Sequence, residues 1–298
     1  MTDRAAPTPG FDPAWLDLRE PADAAARSAA LIGQLRAVLG DRPLVVHDLG
    51  SGTGSMPRWL APQLPGPQRW VLHDHDPGLL AVAGAGCTGL RDANGHEVRI
   101  ETRTTELRRL RPTDLADADL VTASALLDLL TAAELDALAA ACTGTPALLT
   151  LSVAGYVELD PPDPRDPAFA AAFDAHQRRT VAGRRLLGPD APEAAAAAFA
   201  RHGLHVRSAA SPWRLGPDRA ELIGHWLRGW VAAAAEQEPE LRGEAERYLD
   251  DRLREGVRLT ALVLHRDLLV LPGDDRATPD GTDRPAGRRD MPRGRGPA

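Results

Sequence analysis

Val45-Val46-His47-Asp48-Leu49-Gly50-Ser51-Gly52-Thr53-Gly54-Ser55 is a short apolar run that ends in an acid and three alternating glycines. Trp59 and Leu60 then open a helical pattern. This reads as a strand, a tight turn and a helix start, the ligand-binding corner of an α/β unit. Glycine supplies φ freedom and lets a ligand approach the backbone closely. The helix start leaves unpaired N–H groups that can face a polar ligand.

The spacing narrows the ligand. A dinucleotide turn reads G-x-G-x-x-G. Here the order is Asp48-x-Gly50-x-Gly52-x-Gly54. It resembles motif I of the class I S-adenosylmethionine-dependent methyltransferases, an acid two residues before G-x-G-x-G. The resemblance implies a Rossmann-like fold: a doubly wound, mostly parallel seven-stranded α/β sheet. It also implies S-adenosyl-L-methionine as cofactor, held by Asp48, Gly50, Ser51, Gly52, Thr53 and Gly54.

A second stretch lies in register behind the first. Arg69 to His73 reads as a strand that runs into Asp74-His75-Asp76-Pro77-Gly78-Leu79-Leu80. This fits the family pattern in which an acid at the end of the second strand binds the ribose hydroxyls. A carboxylate there can accept two hydrogen bonds from a vicinal diol. Asp74 is the ribose candidate, with His75 beside it. Asp76 reads as the N-cap of the next helix, with Pro77 at its first position. His73 and His75 share a strand face, but no third ligand accompanies them, so no metal is expected.

Composition sets the frame. The chain has 298 residues and 43% hydrophobic residues, enough for a substantial core. Formal net charge is −7, so nucleic acid is disfavoured as a partner. Every basic residue other than histidine is Arg, which reads as codon bias. Cys87 and Cys142 make neither a disulfide framework nor a zinc motif. No apolar run reaches membrane-spanning length, no signal-peptide pattern opens the chain, and a cytoplasmic protein is expected.

Along the chain, 1–12 reads as a flexible tail, Asp23 to Leu39 as a helix, and Leu44 to Leu49 as the first strand. Val98 to Thr102 is the third strand. In the family an acid often follows it near the adenine amino group, and this chain departs from that. Thr104 and Thr105 are the cofactor candidates there, with a backbone group or Glu106 as other possibilities. Asp119 to Leu130 holds the fourth strand and resembles motif IV. That implies Ser124 near the transferred methyl, as a cofactor and catalytic candidate, and Asp128 where many members carry histidine. For each, a purely local role, as a satisfied hydroxyl or a capping acid, has equal standing.

Thr131 to Ala141 is a helix and Ala147 to Val153 a fifth strand. Strands and helices alternate, so the sheet should be parallel with right-handed crossovers. Residues 155–203 read as a helical lid or insertion. In it, Ala168 to Val181 places Phe169, Phe173 and His176 on one face. His176 is either a packed histidine, the preferred reading, or a substrate-facing base. His205 to Ala209 and Leu259 to Leu271 supply two further strands, and Trp213, Trp226 and Trp230 read as core. Residues 13–271 form the expected catalytic domain, and 272–298 an expected disordered tail.

The leading reading is methyl transfer from S-adenosyl-L-methionine to a small-molecule acceptor, by a monomer or homodimer, with no membrane or nucleic-acid partner. Ser124, Asp128 and His176 are its catalytic candidates. Aminopropyl transfer by the same fold and a non-catalytic S-adenosylmethionine-binding protein stay open. A nicotinamide dehydrogenase ranks low, since its third glycine would fall one position later.

Overall fold

Asp12, the first residue described, caps a helix. Its carboxylate accepts the Ala14 N–H at 2.9 Å, and Pro13 takes the first helical position. The computed structural model describes residues 12–273. The expected tails 1–12 and 272–298 lie outside those residues, apart from Asp12, Pro272 and Gly273.

Two helices stand where the sequence predicted one from Asp23: α1 (Pro13–Ala26) and α2 (Ala29–Leu39). The break falls at Arg27-Ser28. Ser28 gives its N–H to the carboxylate of Asp267 at 2.7 Å instead of to a helical carbonyl. Next come β1 (Leu44–Leu49), α3 (Ser55–Leu60), β2 (Gln68–Asp74), α4 (Pro77–Gly86), β3 (Arg99–Thr104) and β4 (Leu120–Ser124). Asp76 caps α4 by accepting from Gly78 and Leu79, as its sequence position predicts. Then follow α5 (Ala132–Ala141), β5 (Ala147–Asp160), α6 (Asp166–Gln177), β6 (Thr180–Val181), β7 (Arg184–Arg185) and α7 (Ala191–Arg201). β8 (His205–Ala210), β9 (Trp213–Leu215), α8 (Ala220–Gln237), α9 (Arg242–Arg254) and β10 (Thr260–Leu271) close the chain.

The large sheet runs β3-β2-β1-β4-β5-β10-β8, with β9 paired to β10 as an eighth strand. β1 to β5 pair with one another in parallel, and β10 is antiparallel to β5, β8 and β9. This is the doubly wound, mostly parallel α/β sheet expected, with one more strand than predicted. The strand order reverses between β1 and β4, and ligands of such sheets bind at the carboxyl ends beside that point.

Both faces of the sheet are covered. Leu31, Leu35, Met56, Leu60, Leu72, Leu80 and Leu120 pack one face under α2, α3 and α4. Leu49, Val121, Leu135, Leu149, Ala195 and Phe199 pack the other under α5 and α7. A third core joins Phe169, Trp213, Leu227, Trp230 and Tyr248. It packs α1, α6, α8 and α9 around the far ends of β5 and β10.

The segment 155–203 differs from a helical lid in two ways. β5 does not stop at Val153; it continues to Asp160, because β10 offers a partner along its whole length, from Val270 opposite Ala147 to Thr260 opposite Asp160. α7 also belongs to the sheet cover. Ala191, Ala195, Ala198 and Phe199 recur at helical spacing and are all buried in the α5-side core. What remains between them is α6 and the β6–β7 hairpin.

Candidate functional site

The glycine turn sits at the switch point. Gly50, Gly52 and Gly54 have φ of +65°, +52° and +85°, a region that L side chains rarely enter. Space is short as well. A Cβ on Gly54 would stand 3.1 Å from Cys87 Sγ and 3.2 Å from Ala83 Cβ. A Cβ on Gly52 would meet Leu16 of α1 at 3.3 Å. α1 therefore lies across the turn. Arg58 of α3 ties it there by a bidentate ion pair with Glu20, whose Nε arm measures 2.8 Å. Thr53 is buried, and its carbonyl accepts from Arg58 at 2.6 Å.

Asp74 ends β2 and is buried. One carboxylate oxygen accepts the Gly52 N–H at 2.9 Å, and the other accepts the Asp76 N–H at 3.0 Å. Each keeps a lone pair. The half-exposed His75 stands 3.2 Å away. Asp74 and the glycine turn, two features 22 residues apart, thus form one unit.

Asp48 and Arg27 form the electrostatic centre. Asp48 is buried at the end of β1, and Thr122 of β4 donates to its Oδ1 at 2.7 Å. Its Oδ2 has no partner. Burial pushes its carboxyl up to about 7, against the Thr122 hydrogen bond and the charge of Arg27. Arg27, at the α1–α2 break, is buried too, with its guanidinium 5.0 Å over the Trp59 ring. Its Nη2 donates to Ser124 at 3.1 Å and to Ser55 at 3.3 Å. Its Nε and Nη1 are buried without a partner. So is the hydroxyl of Ser51. Sequence reading missed Arg27, whose only signal is a charge closing an Ala-rich helix.

Asp267 of β10 holds this corner in place. Besides Ser28, it accepts the Leu151 N–H at 2.8 Å.

Ser124 ends β4 and accepts from Arg27 and, at 3.1 Å, from Thr150. Ala125 follows at φ +50°, a strained conformation for a residue with a Cβ. Asp128 lies in the one-turn 3-10 helix Leu127–Leu129. Burial pushes its carboxyl up to about 6, opposed by its own backbone N–H and by the charges of Arg19 and Arg179.

His176 is held elsewhere. It lies 3.5 Å from Glu236 of α8 and 3.2 Å from Arg179. It makes no hydrogen bond with Ser124 or Asp128. The reason is that α6 turns the face bearing Phe169 toward α8. The hairpin, by contrast, approaches the loop after β4: Arg184 donates to the Leu129 carbonyl at 3.1 Å and pairs with Glu134 at 2.6 Å.

Thr104 is exposed at the end of β3, opposite Asp74. Thr105 gives its N–H to the Asp74 carbonyl at 2.7 Å. A largely apolar slot of about 240 Å³ is lined by Leu49, Leu107, Leu110, Leu126 and Leu130, with Arg108 and Glu134 also on its wall. Leu126 also backs the turn, 3.1 Å from where a Gly50 Cβ would lie. Among the described residues, no group of three His, Cys, Asp or Glu is placed to hold a metal ion, and no helix is long and apolar enough to cross a membrane.

No protein-family model matches the chain, and no curated protein matches it. Solved structures similar to it include a SAM-dependent methyltransferase from Geobacter sulfurreducens in complex with S-adenosyl-L-homocysteine. The two are 16% identical with a TM-score of 0.45, over 88% of this chain and 99% of that one. The YcgJ protein from Bacillus subtilis is similar at 13% identity and TM-score 0.45, over 83% of this chain and 100% of that one. The cyclopropane synthase MmaA2 from Mycobacterium tuberculosis is similar at 12% identity and TM-score 0.45, over 81% and 83% of the two chains.

Proposed function

We propose that this chain is a methyltransferase that takes its methyl group from S-adenosyl-L-methionine and passes it to a small-molecule acceptor. The observation that carries the reading is the pair of orphaned, buried opposite charges beside the glycine turn. Arg27 has two N–H-bearing atoms without acceptors, and Asp48 has an oxygen without a donor. Leaving such groups unpaired in a core is costly. A zwitterionic amino acid supplies the complement of both, a carboxylate for Arg27 and an ammonium for Asp48. Asp74, next along the sheet edge, would hold the ribose diol of the same ligand, and the Leu-lined slot beyond it suits a purine. A pyrophosphate fits worse. It would set two negative charges between Asp48 and Asp74, on a helix of only six residues.

S-adenosyl-L-methionine supplies a sulfonium-activated methyl group, so the protein's contribution is alignment and exclusion of water. Gly50, Gly52 and Gly54 keep side chains away from the ligand's path. α1, through Leu16, Glu20 and Arg27, covers the turn. Ser124 stands at the strand end where the reacting groups would meet. Asp128, titrating near neutrality, is available to take a proton from an acceptor that must lose one. His176, turned to Glu236, is left out of this reading.

The test is calorimetry with four ligands on the full chain: S-adenosylmethionine, S-adenosylhomocysteine, decarboxylated S-adenosylmethionine and NAD. The first two should bind. The decarboxylated ligand should bind at least tenfold more weakly, because it lacks the group that Arg27 awaits. Tighter binding of the decarboxylated form would favour aminopropyl transfer, and binding of NAD alone would overturn the proposal.

A further inference from the structure

One carboxylate that the reading above does not use closes a ring at the open corner. Asp267 of β10 is 1% exposed, and each of its oxygens accepts a backbone N–H: Oδ2 from Ser28 at 2.7 Å and Oδ1 from Leu151 at 2.8 Å. Ser28 follows Arg27, whose Nη2 donates to Ser124 at 3.1 Å. Leu151 follows Thr150, whose hydroxyl meets the same Ser124 oxygen at 3.1 Å. The ring therefore runs from Asp267 through Ser28 and Arg27 to Ser124, and back through Thr150 and Leu151. It joins the α1–α2 break, β4, β5 and β10.

The sheet departs from regular pairing to make this ring. Arg266 lies opposite Ser152 and Leu268 opposite Leu149, so Asp267 alone faces Thr150 and Leu151. Such a β-bulge re-aims a side chain. Leu151 sits in it at φ +56°, and Ala125, next after Ser124, at φ +50°. Residues with a Cβ keep such angles only where their surroundings fix them. Arg27 is fixed at three levels. Asp267 holds the backbone beside it, Ser55 and Ser124 take its Nη2, and the Trp59 ring lies 5.0 Å beneath its guanidinium. Its Nε and Nη1 remain without partners.

We propose that Asp267 is a positioning residue: by pinning the chain beside Arg27 it aims the free guanidinium atoms, and so sets the preference for a ligand with an amino-acid carboxylate over the same ligand without one. This rests on the cofactor reading above, in which Arg27 awaits that carboxylate. Asp267 itself touches no ligand. A guanidinium already held in place meets a carboxylate at little further ordering cost. One whose backbone drifts must be ordered by the ligand, and the advantage of the carboxylate shrinks.

The test compares S-adenosylhomocysteine with its decarboxylated analogue by calorimetry on the full chain. The native chain should prefer the carboxylated compound by about tenfold or more. Asp267→Asn keeps the shape but turns one acceptor into a donor facing an N–H. The preference should shrink several-fold, mainly through weaker binding of S-adenosylhomocysteine. Ser28→Pro isolates the arm toward Arg27. Ser28 has φ −73° and makes no side-chain cap, and Arg27 before it is extended at ψ 138°, so proline fits and removes the N–H donor. It should shrink the preference in the same way. In an Arg27→Met chain, Asp267→Asn should change the ratio by less than about twofold, since no guanidinium is left to aim. A merely structural Asp267 would weaken both ligands together. A native ratio in Asp267→Asn and Ser28→Pro would therefore overturn this inference only. If Asp267→Asn does not fold, as judged by circular dichroism, Ser28→Pro decides alone. Equal binding of the two ligands by the native chain would overturn this inference together with the carboxylate role of Arg27. Failure of both to bind the native chain would remove the cofactor reading itself.

Discussion

His47 and Asp48 are consecutive residues of one strand, both fully buried, and they face opposite sides of the sheet. On the His47 side His47 Nδ1 meets His73 Nε2 and His73 Nδ1 meets the Thr105 hydroxyl, and one atom, His47 Nε2 at 3.1 Å from the Asp117 carboxylate, lacks a hydrogen bond. On the Asp48 side Asp48, Arg27 and Ser51 each keep an unpaired polar atom. The difference teaches where to look for a ligand. A protein core satisfies its polar groups when nothing else will. The side left open is the side with a role still to perform.

The sharpest way to break this comparison is Gly52→Val. The left-handed φ of +52° and the Leu16 contact leave no room for the side chain, so S-adenosylhomocysteine binding should fall at least a hundredfold by calorimetry. Native affinity would remove the turn from the site. Arg27→Met comes next. It should weaken binding by ~2–4 kcal/mol, the scale for losing a charge-assisted pair. It should leave chemical stability unchanged or raised, because an unpaired buried charge is replaced by an apolar stem. Loss of stability without loss of binding would make Arg27 a structural residue. Asp74→Ala should follow, with affinity about tenfold or more weaker and a partly loosened turn, since Gly52 loses its acceptor.

The smallest effects concern pH, and they carry opposite signs on the two sides. The folded value of His73, about 4, lies below the ordinary 6.5. Above pH 6.5 it adds nothing. Between pH 6.5 and 4 the unfolded chain takes a proton that the folded chain refuses, so stability falls on acidification, by up to ~3 kcal/mol. The folded value of Asp48, about 7, lies above the ordinary 3.8. Here the unfolded chain ionises first as pH rises from 3.8 to 7, so stability falls on alkalinisation, by a few kcal/mol at most. The two windows overlap, so in the native chain the opposing slopes nearly cancel, and denaturant titrations should show little net change from these two groups between about pH 4 and 6.5. Asp48→Asn should leave stability rising with pH across that window, and His73→Phe should leave it falling.

Much of the geometry of the glycine corner was legible in the sequence. The glycine turn, Asp74 and the Asp76 cap are local patterns, each read within a few residues. Their joining by the Gly52–Asp74 hydrogen bond follows from β1 and β2 being neighbours. What was not legible depends on distant partners. Arg27 gains its meaning from Ser55 and Ser124, 28 and 97 residues away. The helix break beside it needs Asp267, 239 residues on from Ser28. The length of β5 depends on β10. His176 was placed on the right helix face, but the element opposite that face, α8, could not be read from periodicity. The contact between His47 and His73 joins two neighbouring strands, and a strand pattern shows only that such residues are buried.

Asp267 also sets an order of assembly. β1 to β4 and the glycine turn are complete once the chain reaches residue 124, yet the corner that carries Arg27 is pinned by a carboxylate near the end of the last strand. During synthesis the turn is therefore finished long before its cover. A nascent chain stopped ahead of β10 would hold the glycine turn with α1 tied by the Glu20–Arg58 pair but with the Arg27–Ser28 break unpinned, and the bond from residue 267 to residue 28 would be among the last steps to fix that corner.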